Sequence, residues 1–267
     1  MILVGTAGFS YADWRESFYP AEIKDRDMLR YYARLFPVVE IDFTYYRLPT
    51  SRGMAGMVAK TPEGFEFCVK AFKGMTHEPS EVREAGGERD ETFRAFREAL
   101  GPIAESGRLG CVLAQFPWSF RPSPQTRDYL EEFRDRLDGL PVVVEFRNSG
   151  WVEDETFDFL KVLGLGFCCV DEPSLKGLMP RVARATSPLS YVRFHGRNAA
   201  KWWRHDEAWE RYNYLYTEEE LEEWVPKVRA LDAESQKTYV LYNNCHAGHA
   251  ARNAKMMQTL LGFDGST

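Results

Sequence analysis

The feature that most restricts what this chain can become is an alternation of short strand-like runs with longer helical stretches, sustained from end to end. β-Branched or aromatic runs occupy 2–6, 38–43, 65–71, 109–116, 142–147, 166–171, 191–195 and 238–243. Helical periodicity fills 27–35, 51–60, 91–105, 124–137, 154–163, 218–231 and 248–261. Pro102 and Pro226 fall inside two of these and mark kinks or shifted boundaries. The stretch 172–190 carries only a weak helical signal and reads equally as a loop. About eight strand units followed by helices predict an α/β chain closed into a (β/α)8 TIM barrel. An open doubly wound sheet is the alternative, because closure is not written in a linear pattern. No composition shift, linker or repeat divides the chain, so one domain over 1–267 is expected. The Trp-, Tyr- and Arg-rich stretch 198–216 reads as a lid or binding loop inserted after the seventh strand.

Size and charge narrow the classes. At 267 residues the chain suits a barrel of roughly 250 residues, and a core that large needs no disulfide or zinc staples. The formal charge, 34 basic against 40 acidic side chains for a net −6, is opposite in sign to that of a dedicated nucleic-acid protein. Cys68, Cys111, Cys168, Cys169 and Cys245 show no CxxC spacing, and the first four lie in strand-like runs as small apolar residues. The N-terminal segment lacks the basic and apolar regions of a secretory signal. No stretch reaches the ~18 apolar residues of a spanning helix. A cytoplasmic protein without a membrane partner is expected.

Side chains alternate across a strand, so each run splits into an outer and an inner row. The inner rows read Glu40 with Asp42, Cys68 with Lys70, Leu113 with Gln115, and Val143 with Glu145 and Arg147. They continue with Cys169 and Asp171, then Tyr191, Arg193 and His195, and finally Leu241 with Asn243. Each row turns polar near the carboxyl end of its strand, where barrel enzymes carry their active sites. These residues are expected to converge on one mouth. A self-satisfied internal network, for example Glu145 with Arg193, is the structural alternative. A buried ion pair often fails to recover its desolvation cost, which favours a functional site.

The chain also resembles a known family. Gly5-Thr6-Ala7-Gly8-Phe9-Ser10-Tyr11-Ala12-Asp13-Trp14, followed by Phe18-Tyr19-Pro20, looks like the opening signature of the DUF72 (YecE-like) proteins. The likeness continues through Val39-Glu40-Ile41-Asp42-Phe43-Thr44-Tyr45-Tyr46-Arg47-Leu48-Pro49, Lys70-Ala71, Thr76-His77 and Gln115-Phe116-Pro117. It resumes at Glu145-Phe146-Arg147-Asn148-Ser149-Gly150-Trp151, Asp171-Glu172-Pro173 and Tyr191-Val192-Arg193-Phe194-His195-Gly196-Arg197. It ends at Tyr242-Asn243-Asn244-Cys245-His246-Ala247-Gly248-His249-Ala250. The resemblance implies a TIM barrel in a family without an established activity. The family has been compared with endonuclease-IV-like barrels, which implies nucleic acid as one ligand. Phe9, Asp42 and Asn148 stand where that pattern more often has Trp, Asn and His.

The chemistry these residues suit is acid/base work on an anion. His195 is expected as general base, with Glu145 or Asp171 setting its pKa. Glu40 with Glu145 is a candidate acid/base pair whose environments push their pKa values apart. Lys70, Arg147 and Arg193 suit a phosphate or carboxylate, with Gln115 and Asn243 orienting it. Asn244 beside the start of the last helix, Tyr11 and Trp151 complete the binding set. Trp151, Trp202 and Trp203, interleaved with Arg197, Lys201 and Arg204, suit stacking on bases or sugars. The cations crowding the mouth compete with a metal, so no cofactor is expected; a divalent metal held by His195 with Glu145, Asp171 or Asp42 is the lesser alternative. The His246 and His249 pair reads as a helix cap or solvent-facing, not as a zinc site. GxSxG and SxxK nucleophile signatures are absent. The expected function is an enzyme, a hydrolase or lyase, acting on a small phosphorylated or nucleotide-like anion. A nucleic-acid-binding protein or nuclease is the alternative.

Overall fold

The alternation closes on itself. In the computed structural model, which describes residues 1–77 and 86–263, eight parallel strands circle the axis in sequence order. They are β1 (Ile2–Ala7), β2 (Val38–Ile41), β3 (Glu66–Lys70), β4 (Leu109–Gln115), β5 (Val142–Glu145), β6 (Gly166–Asp171), β7 (Leu189–Phe194) and β8 (Lys237–Tyr242). β8 returns to β1 in a register running from Ile2↔Thr238 to Thr6↔Tyr242, which excludes the open-sheet alternative. Every strand bound lies within two residues of its expected run. β2, β5 and β6 are buried along their whole length, because helices cover one face and packed side chains fill the other.

The helices are α1 (Asp25–Tyr32), α2 (Phe43–Tyr46), α3 (Ser51–Val58), α4 (Lys73–Thr76), α5 (Gly86–Glu105), α6 (Pro124–Arg136), α7 (Asp154–Leu163), α8 (Glu218–Glu222), α9 (Val225–Glu234) and α10 (His249–Leu261). Local chemistry sets several ends. Ser123 caps α6 by accepting from the Thr126 amide, with Pro124 in the first turn. Gly164 stops α7 in the left-handed conformation. The single helix expected over 218–231 is two: Pro226 lacks an amide proton and is tolerated in the first turn of α9, so the chain breaks at Trp224. Pro102 sits inside α5 without dividing it. β6 runs to β7 through a loop with no helix. Among the described residues no helix is long and apolar enough to cross a membrane.

Two departures matter for the site. β2 stops at Ile41, and Asp42 takes helical dihedrals to lead into α2, so its side chain leaves the strand alternation. The stretch 198–216 folds over the carboxyl end of the barrel with a short 3-10 turn at Ala208–Tyr212. Its root is Gly196, at φ +91°, where an added Cβ would meet the Tyr214 Cβ at 2.7 Å, so only glycine fits there. Within this lid Trp202 and Tyr216 are buried, while Trp203 and Trp209 are exposed.

Candidate active site

Parallel register carries Glu40, Glu145, Tyr191 and Arg193 into the barrel interior. Arg193 is the hub. Its Nε and Nη2 donate to Oε2 and Oε1 of Glu40 at 3.0 and 2.6 Å, and its Nη1 donates to Oε2 of Glu145 at 3.1 Å. The Tyr191 hydroxyl donates to Glu40 at 2.6 Å. Nε of Arg147 lies 2.5 Å from Oε1 of Glu145, and its Nη1 reaches Glu172 at 3.4 Å. The row Glu40, Arg193, Glu145, Arg147 thus alternates in sign, which is what makes burying so many charges tolerable. Burial alone would raise Glu40, but Arg193 and hydrogen bonds from Asp42, Arg193 and Tyr191 hold it below the ordinary value. Burial would likewise raise Glu145, yet Arg147, Arg193 and His195 hold it well below. Both carboxylates are held low, so they are not an acid/base pair with divergent pKa values.

His195 sits on this floor, wholly buried. Nδ2 of Asn243 lies 3.1 Å from its Nδ1, and an amide nitrogen only donates, so Nδ1 accepts and Nε2–H donates to Glu145 at 3.0 Å. Burial, then the Arg147 charge, pushes the imidazole down to about 3. A general base needs a free lone pair facing its substrate. With both nitrogens engaged, His195 positions Glu145 and Asn243 instead.

Above the floor, two adjoining cavities open under the lid. One, of about 480 Å³, is lined by Tyr11, Asp42, Lys70, Arg193, Asn243 and Tyr212 among others. The other, of about 330 Å³, is lined by Lys70, His77, Gln115, Arg147, Arg211 and Tyr212 with aromatic walls, and no Asp or Glu belongs to its lining. Lys70 and Tyr212 stand at the boundary and serve both. Nζ of Lys70 lies 4.5 Å over the Tyr45 ring, and burial together with the Arg193 charge lowers its pKa. Oδ1 of Asp42 is buried without a hydrogen-bond partner, 3.6 Å from Arg193. Burial and the Glu40 charge push Asp42 up to about 8, so it is neutral at pH 7. Tyr11 is set by its hydroxyl, which donates to the Ala7 carbonyl at 2.8 Å. A larger groove of about 650 Å³, lined by Phe36, Pro37, Pro62 and Phe65, lies at the opposite end of the barrel, away from these groups.

Of the site residues expected from sequence, three do not reach this mouth. The register Cys168↔Tyr191 and Val170↔Arg193 makes Cys168 and Val170 the inward residues of β6 and turns Asp171 outward. Its carboxylate accepts from Trp224 Nε1 at 2.7 Å, Tyr216 hydroxyl at 2.8 Å and Arg197 Nη2 at 2.8 Å, tying the lid's base to α8 and α9. Trp151 stacks 4.3 Å from Phe146 on the outer face of the barrel and donates to the Phe120 carbonyl. Asn244 is buried, with Nδ2 donating to the Tyr214 carbonyl and Asn253. The lid cations are also engaged: Arg197 with Asp171, Glu220 and Glu223, and Lys201 with Glu210 at 2.6 Å.

Sequence reasoning missed four groups that the fold brings in. His77, after β3, lines the cationic cavity, where burial and the charges of Lys70 and Arg147 push it down to about 4. Glu172 is pushed up to about 7 by burial, and accepts from the Met179 amide at 2.8 Å. Arg211 packs 5.5 Å from the Trp202 ring, with its Nε buried and without a hydrogen-bond partner. Burial would raise Tyr212, but Arg147, Arg211, Lys70 and Arg193 lower it on balance. His77 and Glu172 belong to the quoted motifs, so motif membership was the one signal available for them. His246 stacks 4.2 Å from Trp209. Among the described residues no group of three or more His, Cys, Asp or Glu gathers where it could hold a metal ion.

Comparison with known proteins agrees with this architecture. The family described as "Protein of unknown function DUF72" matches residues 3–267. The UPF0759 protein YunF of Bacillus subtilis (strain 168) is 35% identical over the whole of this chain and 96% of its own length. A crystal structure of a DUF72 family protein from Thermotoga maritima MSB8 superposes with a TM-score of 0.88 at 40% identity, covering 98% of this chain and 99% of that one. A second, from Enterococcus faecalis V583, gives 0.88 at 31% identity, covering 100% and 97%.

Proposed function

This chain belongs to the DUF72 family, and on that footing we propose that it is an enzyme whose barrel mouth takes a polar anionic substrate, phosphorylated or nucleotide-like. The observation that carries the reading is the smaller cavity, where Lys70, Arg147 and Arg211 face a space whose lining includes no carboxylate. Arg147 is backed by Glu145 and Glu172, but among the described residues Lys70 and Arg211 have no carboxylate at ion-pair distance, and such cations on one cavity wall favour an anion. Gln115 orients the anion from β4. The rest of the substrate extends into the larger cavity, beside Tyr11, Asn243 and Asp42.

In this reading Glu40, Glu145 and His195 are the positioning layer. They fix Arg193 and Arg147 and touch no substrate. Proton transfer falls to Asp42, a neutral carboxyl that lines the larger cavity. An acid poised near the working pH is what general acid catalysis needs. A strand of nucleic acid is less well supported, because Arg197 and Lys201 already pair with carboxylates.

The test is calorimetric titration at low ionic strength with inorganic phosphate, sugar phosphates and nucleoside monophosphates, followed by turnover assays on those that bind. Binding is expected, weakened roughly 10- to 100-fold in Lys70→Ala, the loss of one hydrogen bond to a charged group. No binding of any anion, or equal binding by Lys70→Ala, refutes the proposal. A short oligonucleotide bound more tightly than every small anion, with a steep salt dependence, would instead support the nucleic-acid reading.

A further inference from the structure

Lys70 and Arg147 stand on the barrel, whereas Arg211 stands on the lid, in the turn Ala208–Tyr212. We propose that Arg211 completes a three-cation cradle for a terminal phosphoryl group, so that filling the cradle and seating the lid are one event. This rests on the anion-binding reading above and narrows it to one substrate class. Arg147 is held by Glu145 and Glu172. Among the described residues, Lys70 and Arg211 have no carboxylate at ion-pair distance; their ring contacts are with Tyr45, and with Trp202 and Tyr212. The Nε of Arg211 is a buried donor without an acceptor, a state that costs free energy until a ligand oxygen fills it.

Arg147 is already paired, but Lys70 and Arg211 line the same space with no carboxylate at ion-pair distance among the described residues, and their repulsion acts between lid and barrel. A dianion between them reverses its sign. A phosphoryl group offers three oxygens and two charges to three cations, whereas a carboxylate offers two oxygens and one charge. Several other ties of the lid carry no charge: Trp202 and Tyr212 pack 6.5 and 6.1 Å from the His195 ring, and the Asn244 amide donates to the Tyr214 carbonyl. Trp209 stacks on His246, and Asn198 donates to the Glu210 and Asn213 carbonyls within the lid itself. The anion therefore adds a charged tie between the Arg211 turn and the barrel, where Tyr212 and Trp209 already pack on the His195 and His246 rings.

The lid carries its own reporters, Trp202, Trp203 and Trp209. The experiment titrates the full chain with inorganic phosphate, and separately with acetate, reading calorimetry, tryptophan fluorescence and amide hydrogen exchange over 198–216. Wild type is expected to bind phosphate at least tenfold more tightly than acetate, with a fluorescence change and slower exchange in the lid. Arg211→Ala, checked for a cooperative melt, is expected to bind phosphate roughly tenfold more weakly and to lose both lid signals. Arg211→Lys, which keeps the charge, is expected to fall between. Equal phosphate affinity in wild type and Arg211→Ala, with Lys70→Ala still impaired, overturns the cradle and leaves the anion site standing. Acetate bound as tightly as phosphate overturns the phosphoryl assignment alone. Failure of wild type to bind either anion overturns this inference and the proposed function together.

Discussion

Nε2 of His195 lies 3.0 Å from Oε1 of Glu145, with both side chains wholly out of solvent. The contact fixes a neutral tautomer, because Asn243 supplies a donor to the other ring nitrogen. Nitrogen-detected NMR should therefore report a neutral, Nε2-protonated ring for His195 throughout pH 5–8. An imidazolium signal at pH 6 would sink the assignment. The linkage sign follows. The folded pKa, about 3, is below the ordinary 6.5, so this group's contribution to stability is present above pH 6.5 and is lost as pH falls toward 3.

Arg193 joins two carboxylates from opposite sides of the barrel, Glu40 on β2 and Glu145 on β5. Removing it leaves Glu40 without its cationic partner, while Glu145 keeps Arg147 and His195. Arg193→Ala should lose about 3–5 kcal/mol in urea unfolding, the usual size for breaking a buried ion pair. Arg193→Lys should recover only part of this, since a single ammonium cannot reproduce a fork that serves two carboxylates. A loss below 1 kcal/mol in Arg193→Ala would mean that the network is not what holds the floor.

How far such a floor can be read from sequence depends on local pattern. In 191–195, Tyr191, Arg193 and His195 alternate with apolar Val192 and Phe194, and the inward row read from that alternation is the one the structure contains. Glu40, Lys70, Gln115, Glu145 and Asn243 follow for the same reason. The run 166–171 is apolar on both faces up to Asp171, so its parity is invisible: alternation alone puts Asp171 inward, and only the register with β7 reveals that it faces out. Trp151 illustrates a different ambiguity, because an indole suits a ligand and a packed aromatic stack equally well. His77, Arg211 and Tyr212 lie beyond strand ends, where no period exists, and tertiary folding alone brings them to the mouth, with Glu172 placed behind Arg147 in the same way.

Asp171 now carries a prediction opposite in kind to the catalytic role first expected. Its carboxylate holds Arg197, Tyr216 and Trp224 at the base of the lid. Asp171→Asn should destabilise the protein by about 1.5–3 kcal/mol, the range for a hydrogen bond to a charged group, as measured by chemical denaturation. Phosphate affinity at saturating fold should change less than in Lys70→Ala. Intact stability combined with lost turnover would restore Asp171 to the chemistry.

Asp42 supplies the pH dependence. It faces Glu40, Arg193 and Lys70, and its folded pKa of about 8 is above the ordinary 3.8. Its stabilising contribution is therefore full below pH 3.8 and is lost as pH rises through about 8, where a buried carboxylate must form. Asp42→Asn should accordingly melt higher than wild type at pH 9, with the gap closing toward pH 6. The same ionisation places a negative charge beside the cationic cavity. Affinity for sulfate, which stays dianionic over this range, should fall as pH rises through about 8 in wild type and stay nearly flat in Asp42→Asn. Lys70 loses its proton in the same direction, so a fall that persists unchanged in Asp42→Asn would transfer the titration to Lys70 and remove Asp42 as the poised acid.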